Sequence, residues 1–359
     1  MKDERKEILE SIVGSSSSPW MDGSGNLADV VISSRVRLAR NLRDTPFPHL
    51  LEERAARDVM DRVFKVIESV NKKGTWGELT TIDLSELNSR DRQVLVEKHL
   101  MSPQHAEPGP GKGLATRRDE RVSVMVNEED HLRIQCLFSG LELDEAYITA
   151  SGTDDLLDEG LDFAYDDTIG FLTACPTNAG TGLRASVMVH LPALAIGDEV
   201  ARVLAAVNKL GLVVRGLYGE GTEGKGNVFQ ISNQITLGQT EKEIIENLSL
   251  VGKQVVAEEK RFRENLYKTR RTELEDRIFR AWGILANARS MSSGEAVRLW
   301  SDVRLGVELE MLPQMNVRKI NEILVLAQPG FVQRVAGRDM APEERDVKRA
   351  ELIRHHVSS

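Results

Sequence analysis

The sequence predicts an α+β protein, with sheet and helix mixed as far as about residue 255 and helix alone beyond it. Three observations carry this. Short apolar runs of strand character recur through the first part, at 29–40, 121–127, 131–138 and 212–218. Segments with helical apolar spacing separate them, most clearly at 52–70. A capping box, Thr240 with Glu243 three residues on, then opens a region where only the helical period remains.

Composition narrows the class. A chain of 359 residues has room for two or three domains and a large core. Its formal charge of −9 disfavours direct nucleic-acid binding and membrane-surface binding. The two cysteines, Cys136 and Cys175, form no disulfide framework and suit a reducing compartment. The N-terminus is too charged for a signal peptide, and no apolar run approaches the ~18 residues of a membrane span. The expected setting is the cytoplasm.

In order, residues 1–28 begin as a short amphipathic helix and pass into a serine- and glycine-rich leading segment. The strand at 29–40 alternates, so Ser34, Val36 and Leu38 share one face and Arg35, Arg37 and Ala39 the other. A helix at 52–70, a strand at 76–84 and a helix at 90–100 follow, the last ending near His99. The Pro/Gly-rich stretch 102–113 reads as a long loop. The strands at 121–127 and 131–138 form a hairpin whose tip is Glu128-Glu129-Asp130, with Arg133 on the second strand. Residues 143–166 read mostly as helix. The stretch 171–191 reads as strand, tight loop and strand, with Cys175 and Arg184 at the loop ends and two glycines between. Then come a helix at 196–210, a strand at 212–218 carrying Arg215, a glycine-rich loop at 219–227 containing Glu220, and a strand at 228–237. Helices near 240–289, 293–310, 316–327 and 342–356 complete the chain, broken at Gly294, Pro313, Pro329-Gly330 and Gly337. The expected division is a leading segment 1–28, a mixed domain 29–255 and a helical domain 256–359.

The loop at 219–226 nearly matches a phosphate-binding loop, but Gly226 replaces the Ser or Thr that holds magnesium. Two glutamates lie inside it and a strand follows rather than a helix. The histidines lack the spacing of a closed zinc site, so no structural metal site is expected.

Arg35, Arg37, Arg133, Arg184 and Arg215 all fall on strands or strand ends, where arginine is rare unless paired. Either five acidic side chains satisfy them, or they converge on one polyanion, most simply a nucleoside triphosphate. In the second case the carboxylates at 128–130 and 220 hold magnesium through water or grip a cationic acceptor. A guanidinium fits: its pKa above ~12 makes it a poor nucleophile until a positioned carboxylate takes its proton.

The motifs CPTNAGTGLRAS at 175–186, SSRVRLAR at 33–40, VEKHL at 96–100, NEEDHLRI at 127–134 and RGLYGEGTE at 215–223 together resemble the phosphagen (guanidino) kinases. The helical part, with APEERDVKRA at 341–350, is similar to the branch of that family that phosphorylates arginine in proteins. The resemblance implies an antiparallel sheet flanked by helices, followed by a helical domain that regulates and dimerises. It implies ATP with Mg²⁺ as phosphoryl donor. Arg35, Arg37, Arg133, Arg184 and Arg215 would bind the phosphates, with His99 against the nucleotide. Glu129, acting as base, and Glu220 would hold the guanidinium beside Cys175, and Glu128 would order Mg²⁺ through water. Met188 stands where the family pattern has a histidine, with His190 two residues on.

Arg345 and Arg349, four apart, share one helix face with Asp346 adjacent, which from the residues alone is an exposed charged surface. The resemblance makes them an allosteric phosphoarginine pocket instead. It further implies protein substrates presenting arginine, marked for a Clp chaperone-protease in a stress response, with a heat-shock repressor among them. A zinc-binding activator protein and a homodimeric or higher assembly are also implied. The alternatives are a kinase of a free small guanidine and a non-catalytic phosphoarginine-binding adaptor.

Overall fold

The computed structural model describes residues 2–74, 76–216 and 224–358. The elements run α1 (Lys2–Gly14), β1 (Val31–Arg40), α2 (Glu53–Lys73), β2 (Leu79–Asp83), α3 (Ser89–Glu97) and α4 (Pro103–Ala106). Next come β3 (Gly113–Arg117), β4 (Val122–Val126), β5 (Leu132–Ser139), α5 (Leu143–Asp158), β6 (Tyr165–Asp166), β7 (Gly170–Phe171) and β8 (Leu183–His190). Then follow α6 (Pro192–Ile196), α7 (Val200–Lys209), β9 (Leu212–Gly216) and β10 (Val228–Asn233). Six helices finish the described chain: α8 (Glu241–Thr269), α9 (Arg271–Asn287), α10 (Ser293–Glu308), α11 (Val317–Leu326), α12 (Pro329–Ala336) and α13 (Pro342–Ser358).

Eight strands form one antiparallel sheet in the order β2-β3-β4-β5-β1-β8-β10-β9. The alternation in β1 divides the sheet into two unlike faces. Val36 and Leu38, with Ile134, Cys136, Ala185, Val187 and Ile231 beside them, pack against α2, α5 and α8. α2 presents Val59, Val63, Ile67 and Val70 at helical spacing and stops at Gly74, whose left-handed backbone (φ 68) closes the last turn. Each such side chain contributes about 1.5–3 kcal/mol on burial.

The other face is divided in two. Leu114, Met125, Leu137 and Met188 carry a second apolar core shared by Trp20 and Met21, by α3 and by α9 to α13. The rest of that face carries the arginines. The capping box at Thr240 forms as expected, the Thr240 hydroxyl accepting from the Glu243 N–H and the Glu243 carboxylate from the Thr240 N–H. α8 then runs 29 residues without a break, through residue 255 and from one core into the other.

Several local expectations change. The stretch 171–191 is not a hairpin. Phe171 belongs to β7, which pairs with β6, whereas β8 pairs with β1 and β10. The loop at 102–113 contains α4 and leads into β3, a strand the sequence reading missed. Residues 240–289 form two helices divided at Arg270. The chain does break before Pro329-Gly330, at Ala327 and Gln328, but Pro329 and Gly330 form the first turn of α12, a helix the sequence reading missed, where proline's missing N–H costs nothing.

Candidate active site

Arg35 and Arg37 leave β1 on one face because they are two residues apart. Pairing extends that face sideways. Arg184 on β8 and Gln135 on β5 lie directly opposite Arg37, Arg133 lies opposite Ala39, and Arg215 on β9 lies opposite Gln230. Side chains directly opposite share a face. All five arginines therefore line a single cleft of about 610 Å³, together with His99, Glu129 and Cys175.

Charge in this cleft is unbalanced. Of the five arginines, only Arg133 has carboxylate partners among the described residues, Glu128 and Glu129, the latter at 2.6 Å. Arg35 donates to Gln230 at 2.8 Å and Arg184 to the Ser232 hydroxyl at 3.4 Å. The Nε groups of Arg37 and Arg184 are buried without a hydrogen-bond partner among the described residues. Burial, then Arg184 and Arg133, lower the pKa of Arg35 to about 10. Burial, then Arg35, Arg133 and Arg184, hold Arg37 well below the ordinary arginine value. Like-charged groups directly opposite across strands repel. Five guanidinium groups in one cleft, two with an unused donor, fit an anion carrying several charges.

The tip between β4 and β5 sends its three carboxylates in different directions. Glu129 lines the cleft. Glu128 does not. It pairs with Arg133, accepts from the Ser102 hydroxyl at 2.5 Å and lines a neighbouring pocket of about 310 Å³ that also includes Glu129 and Lys112. Burial raises the Glu128 pKa, but Arg133 and Ser102 more than offset this, so it lies below its usual range. Asp130 points inward and accepts from the Ala174 N–H and the Asn41 amide, both at 2.7 Å. That ties the tip to the segment entering Cys175, a link with no signal in the sequence.

Cys175 is half-buried, its Sγ 3.0 Å from the Thr177 hydroxyl. Its loop is fixed on several sides. The Thr236 hydroxyl donates to the Thr177 and Ala179 carbonyls at 2.9 and 2.7 Å. Phe171 and Gly180 exchange backbone hydrogen bonds. Arg40 donates to the Thr181 carbonyl at 3.1 Å, to Asp154 at 2.7 Å, and lies 3.4 Å over the Phe171 ring. Sequence reasoning missed Arg40, which alternation places off the arginine face.

His99 ends α3 with a left-handed backbone (φ 60) and meets Trp20 edge-on at 5.0 Å. Burial, then Arg35, lower its pKa to about 3, so it is neutral. Met188 is buried in the second core. His190 is on the Arg184 face of β8 but outside the cleft, 2.8 Å from the Ser301 hydroxyl and against Trp300. Glu220 lies outside the described residues. No cluster of three or more His, Cys, Asp or Glu among the described residues is arranged to hold a metal ion.

Arg345, Asp346 and Arg349 come together on α13, but Arg349 is not part of an exposed face. It is 2% exposed and donates to the Ala327 carbonyl at 2.6 Å, the Met291 carbonyl at 2.8 Å and Asp346 at 2.5 Å. Arg345 is half-buried beside it.

A sheet of this topology with a convergent arginine cleft is that of the guanidino phosphotransferases. Residues 58–262 match the family described as ATP:guanido phosphotransferase, C-terminal catalytic domain. A crystal structure of lombricine kinase shares the fold, with a TM-score of 0.57 and 22% identity over 71% of this chain and 77% of that one. Residues 271–359 match the protein-arginine kinase McsB C-terminal domain. The chain is 50% identical to a protein-arginine kinase of Pelotomaculum thermopropionicum, over 98% of this chain and 99% of the relative. It is 51% identical to one of Symbiobacterium thermophilum, over 97% and 99%. The chain belongs to the protein-arginine kinase family, whose activity is phosphoryl transfer to arginine in proteins.

Proposed function

We propose that the arginine cleft binds the phosphates of ATP and that Glu129 is the base for transfer of the γ-phosphoryl group to an arginine side chain presented by a protein. The observation that carries this is the convergence of Arg35, Arg37, Arg133, Arg184 and Arg215 on one cleft that also holds Glu129 and Cys175. The arginines spread along the triphosphate and neutralise the charge that develops on its equatorial oxygens. Glu129 orients the acceptor guanidinium and takes its proton as the nitrogen–phosphorus bond forms and the bond to ADP breaks. Cys175, held by Thr177 and the loop around it, bounds the acceptor end. Family likeness adds Glu220 as a second carboxylate for the acceptor. Mg²⁺ fits as an ion arriving on the nucleotide, since it keeps most of its waters and asks few protein ligands. Glu128, with its Arg133 and Ser102 partners, influences it at most through water.

In the wider reading, the modified proteins are marked for a Clp chaperone-protease during stress, with a heat-shock repressor among the targets. A zinc-binding activator then acts on the kinase, and Arg345, Asp346 and Arg349 sense phosphoarginine. This rests on family likeness. Support from the chain itself is the burial of Arg349 beside Asp346.

One assay tests the catalytic reading: acid-labile phosphate transferred from ATP to an arginine-rich protein, with free arginine as the competing acceptor. Protein labelling is expected, with Glu129→Gln lowering kcat by about 10²–10⁴. Fast turnover of free arginine without protein labelling, or near-normal kcat in Glu129→Gln, refutes it.

A further inference from the structure

α3 closes on three consecutive residues that reach in three directions. Glu97 turns toward α12, and its carboxylate accepts from the backbone N–H of Gly330 at 2.7 Å and of Phe331 at 2.8 Å. Lys98 is fully buried and donates to the Ile12 carbonyl and to Glu120, both at 2.7 Å. His99 turns into the arginine cleft. Glu97 itself, 8% exposed, also lines that cleft, as does Gln328, the residue that precedes α12.

The contact is built for this carboxylate. The first N–H groups of a helix have no partner within it, and an anion is favoured there. Glu97 takes two of those on α12. A Cβ on Gly330 would lie 2.5 Å from Gln93 Cγ and 2.8 Å from Glu97 Oε1, so the close approach requires glycine. On the far side, the Ala327 carbonyl, one residue before Gln328, accepts from Arg349 on α13. Two residues, Ala327 and Gln328, therefore span the distance from α13 to the cleft wall.

We propose that Glu97 is a positioning residue for nucleotide binding. Its carboxylate clasps the start of α12 to the end of α3, holds Gln328 and His99 at the cleft, and makes affinity for ATP depend on the helical region. The proposal rests on the reading that ATP occupies the arginine cleft.

The clasp depends on charge. A carboxylate accepts two strong hydrogen bonds, whereas a protonated carboxyl gives up one of them. Burial pushes the Glu97 pKa up to about 7, against the opposing pull of the Gly330 and Phe331 N–H groups, Gln93 and Arg349. Of the other charged groups nearby, Arg334 on α12 is engaged by Asp91 of α3 and Glu10 of α1.

The test is steady-state kinetics of the full chain with a fixed protein substrate, varying ATP between about pH 6 and 8.5. Glu97→Gln is expected to raise KM for ATP about tenfold at the alkaline end, with kcat changed less than about threefold. Its KM should then rise less than that of the wild type as pH falls through about 7. Gly330→Ala, which pushes a methyl group onto Glu97, should reproduce the KM effect. Glu97→Asp, which keeps the charge but shortens the reach, should lie between and is the mildest change should the others not fold. An unchanged KM for ATP in the folded variants overturns the proposal, as does a loss of kcat alone. Arg35→Gln is the reference. If it too leaves KM for ATP unchanged, the nucleotide is not in this cleft and the underlying reading fails, whatever Glu97 does.

Discussion

Arg37 illustrates how this site sets function against stability. It lies on β1 directly opposite Arg184, its Nε has no partner among the described residues, and three neighbouring arginines disfavour its charge. Replacing an unpaired, partly buried charge with an apolar side chain of similar length relieves that repulsion. Arg37→Met is expected to stabilise the protein without nucleotide by about 1 kcal/mol, read from denaturant unfolding, while kcat/KM for ATP falls at least about 100-fold. A variant that is both destabilised and inactive would mean that Arg37 is held by the fold rather than poised for a ligand. The arginine face was legible in the sequence because β1 alternates and residue type marks each position. The directions of Glu128, Glu129 and Asp130 were not, since adjacent carboxylates on a tip look alike until the partners, Ser102, Arg133 and Asn41, are in place.

Among elements, the loop between β7 and β8 is held from several sides. Gly180 has φ +100, and a Cβ there would lie 2.7 Å from the Thr236 carbonyl. Gly180→Ala is expected to cost about 1–3 kcal/mol and to lower kcat, because the displaced loop carries Cys175. Wild-type rate and stability together would show that the loop adjusts freely. Elements with a strong internal period were readable: β1, α2 and the capped start of α8. Those fixed by distant partners were not. β8 pairs with β1, about 150 residues upstream, so a local pattern could only suggest the nearer and wrong partner. β3, Gly113–Arg117, follows directly on a run of glycine and proline and begins with glycine itself, so it reads as more of the loop. The start of α12 was hidden because Pro-Gly reads as a break unless a carboxylate such as Glu97 waits for the N–H groups behind it.

At the scale of the molecule, titration couples to folding through buried histidines. Burial lowers the His105 and His131 pKa values to about 4, so both are neutral in the folded chain. A depressed pKa gives stability that is complete above the unfolded value near 6.5 and is lost as pH falls toward about 4. Glu97 works in the opposite sense, its raised pKa contributing stability below about 4.5 that is lost as pH rises through about 7. Unfolding midpoints of the wild type and His131→Gln are therefore expected to converge as pH drops from about 6.5 to 4. Parallel curves would show that His131 carries no proton-linked term. The helical region is also no appendage. A chain cut after residue 270 removes most of the second core and should leave Trp20, Met21 and the α3 side chains uncovered. Such a fragment is expected to aggregate or bind an apolar dye, and a monomeric fragment with native-like unfolding would contradict this.

The second core also has a consequence for synthesis. Ile12, Val13, Trp20 and Met21 are translated about 300 residues before α11, yet Met21 is gripped by Asn321 and packs with that helix. At roughly 5–20 residues per second, Met21 waits roughly 15–60 s for Asn321. The nascent chain must keep its opening segment out of unwanted contacts throughout that interval. The charge-rich sequence of α1 and the serines after it are suited to that, being easily solvated until the final helices emerge. Closure of the second core is thus timed by the synthesis of α11, and a chain halted before that helix leaves Trp20 and Met21 unmatched.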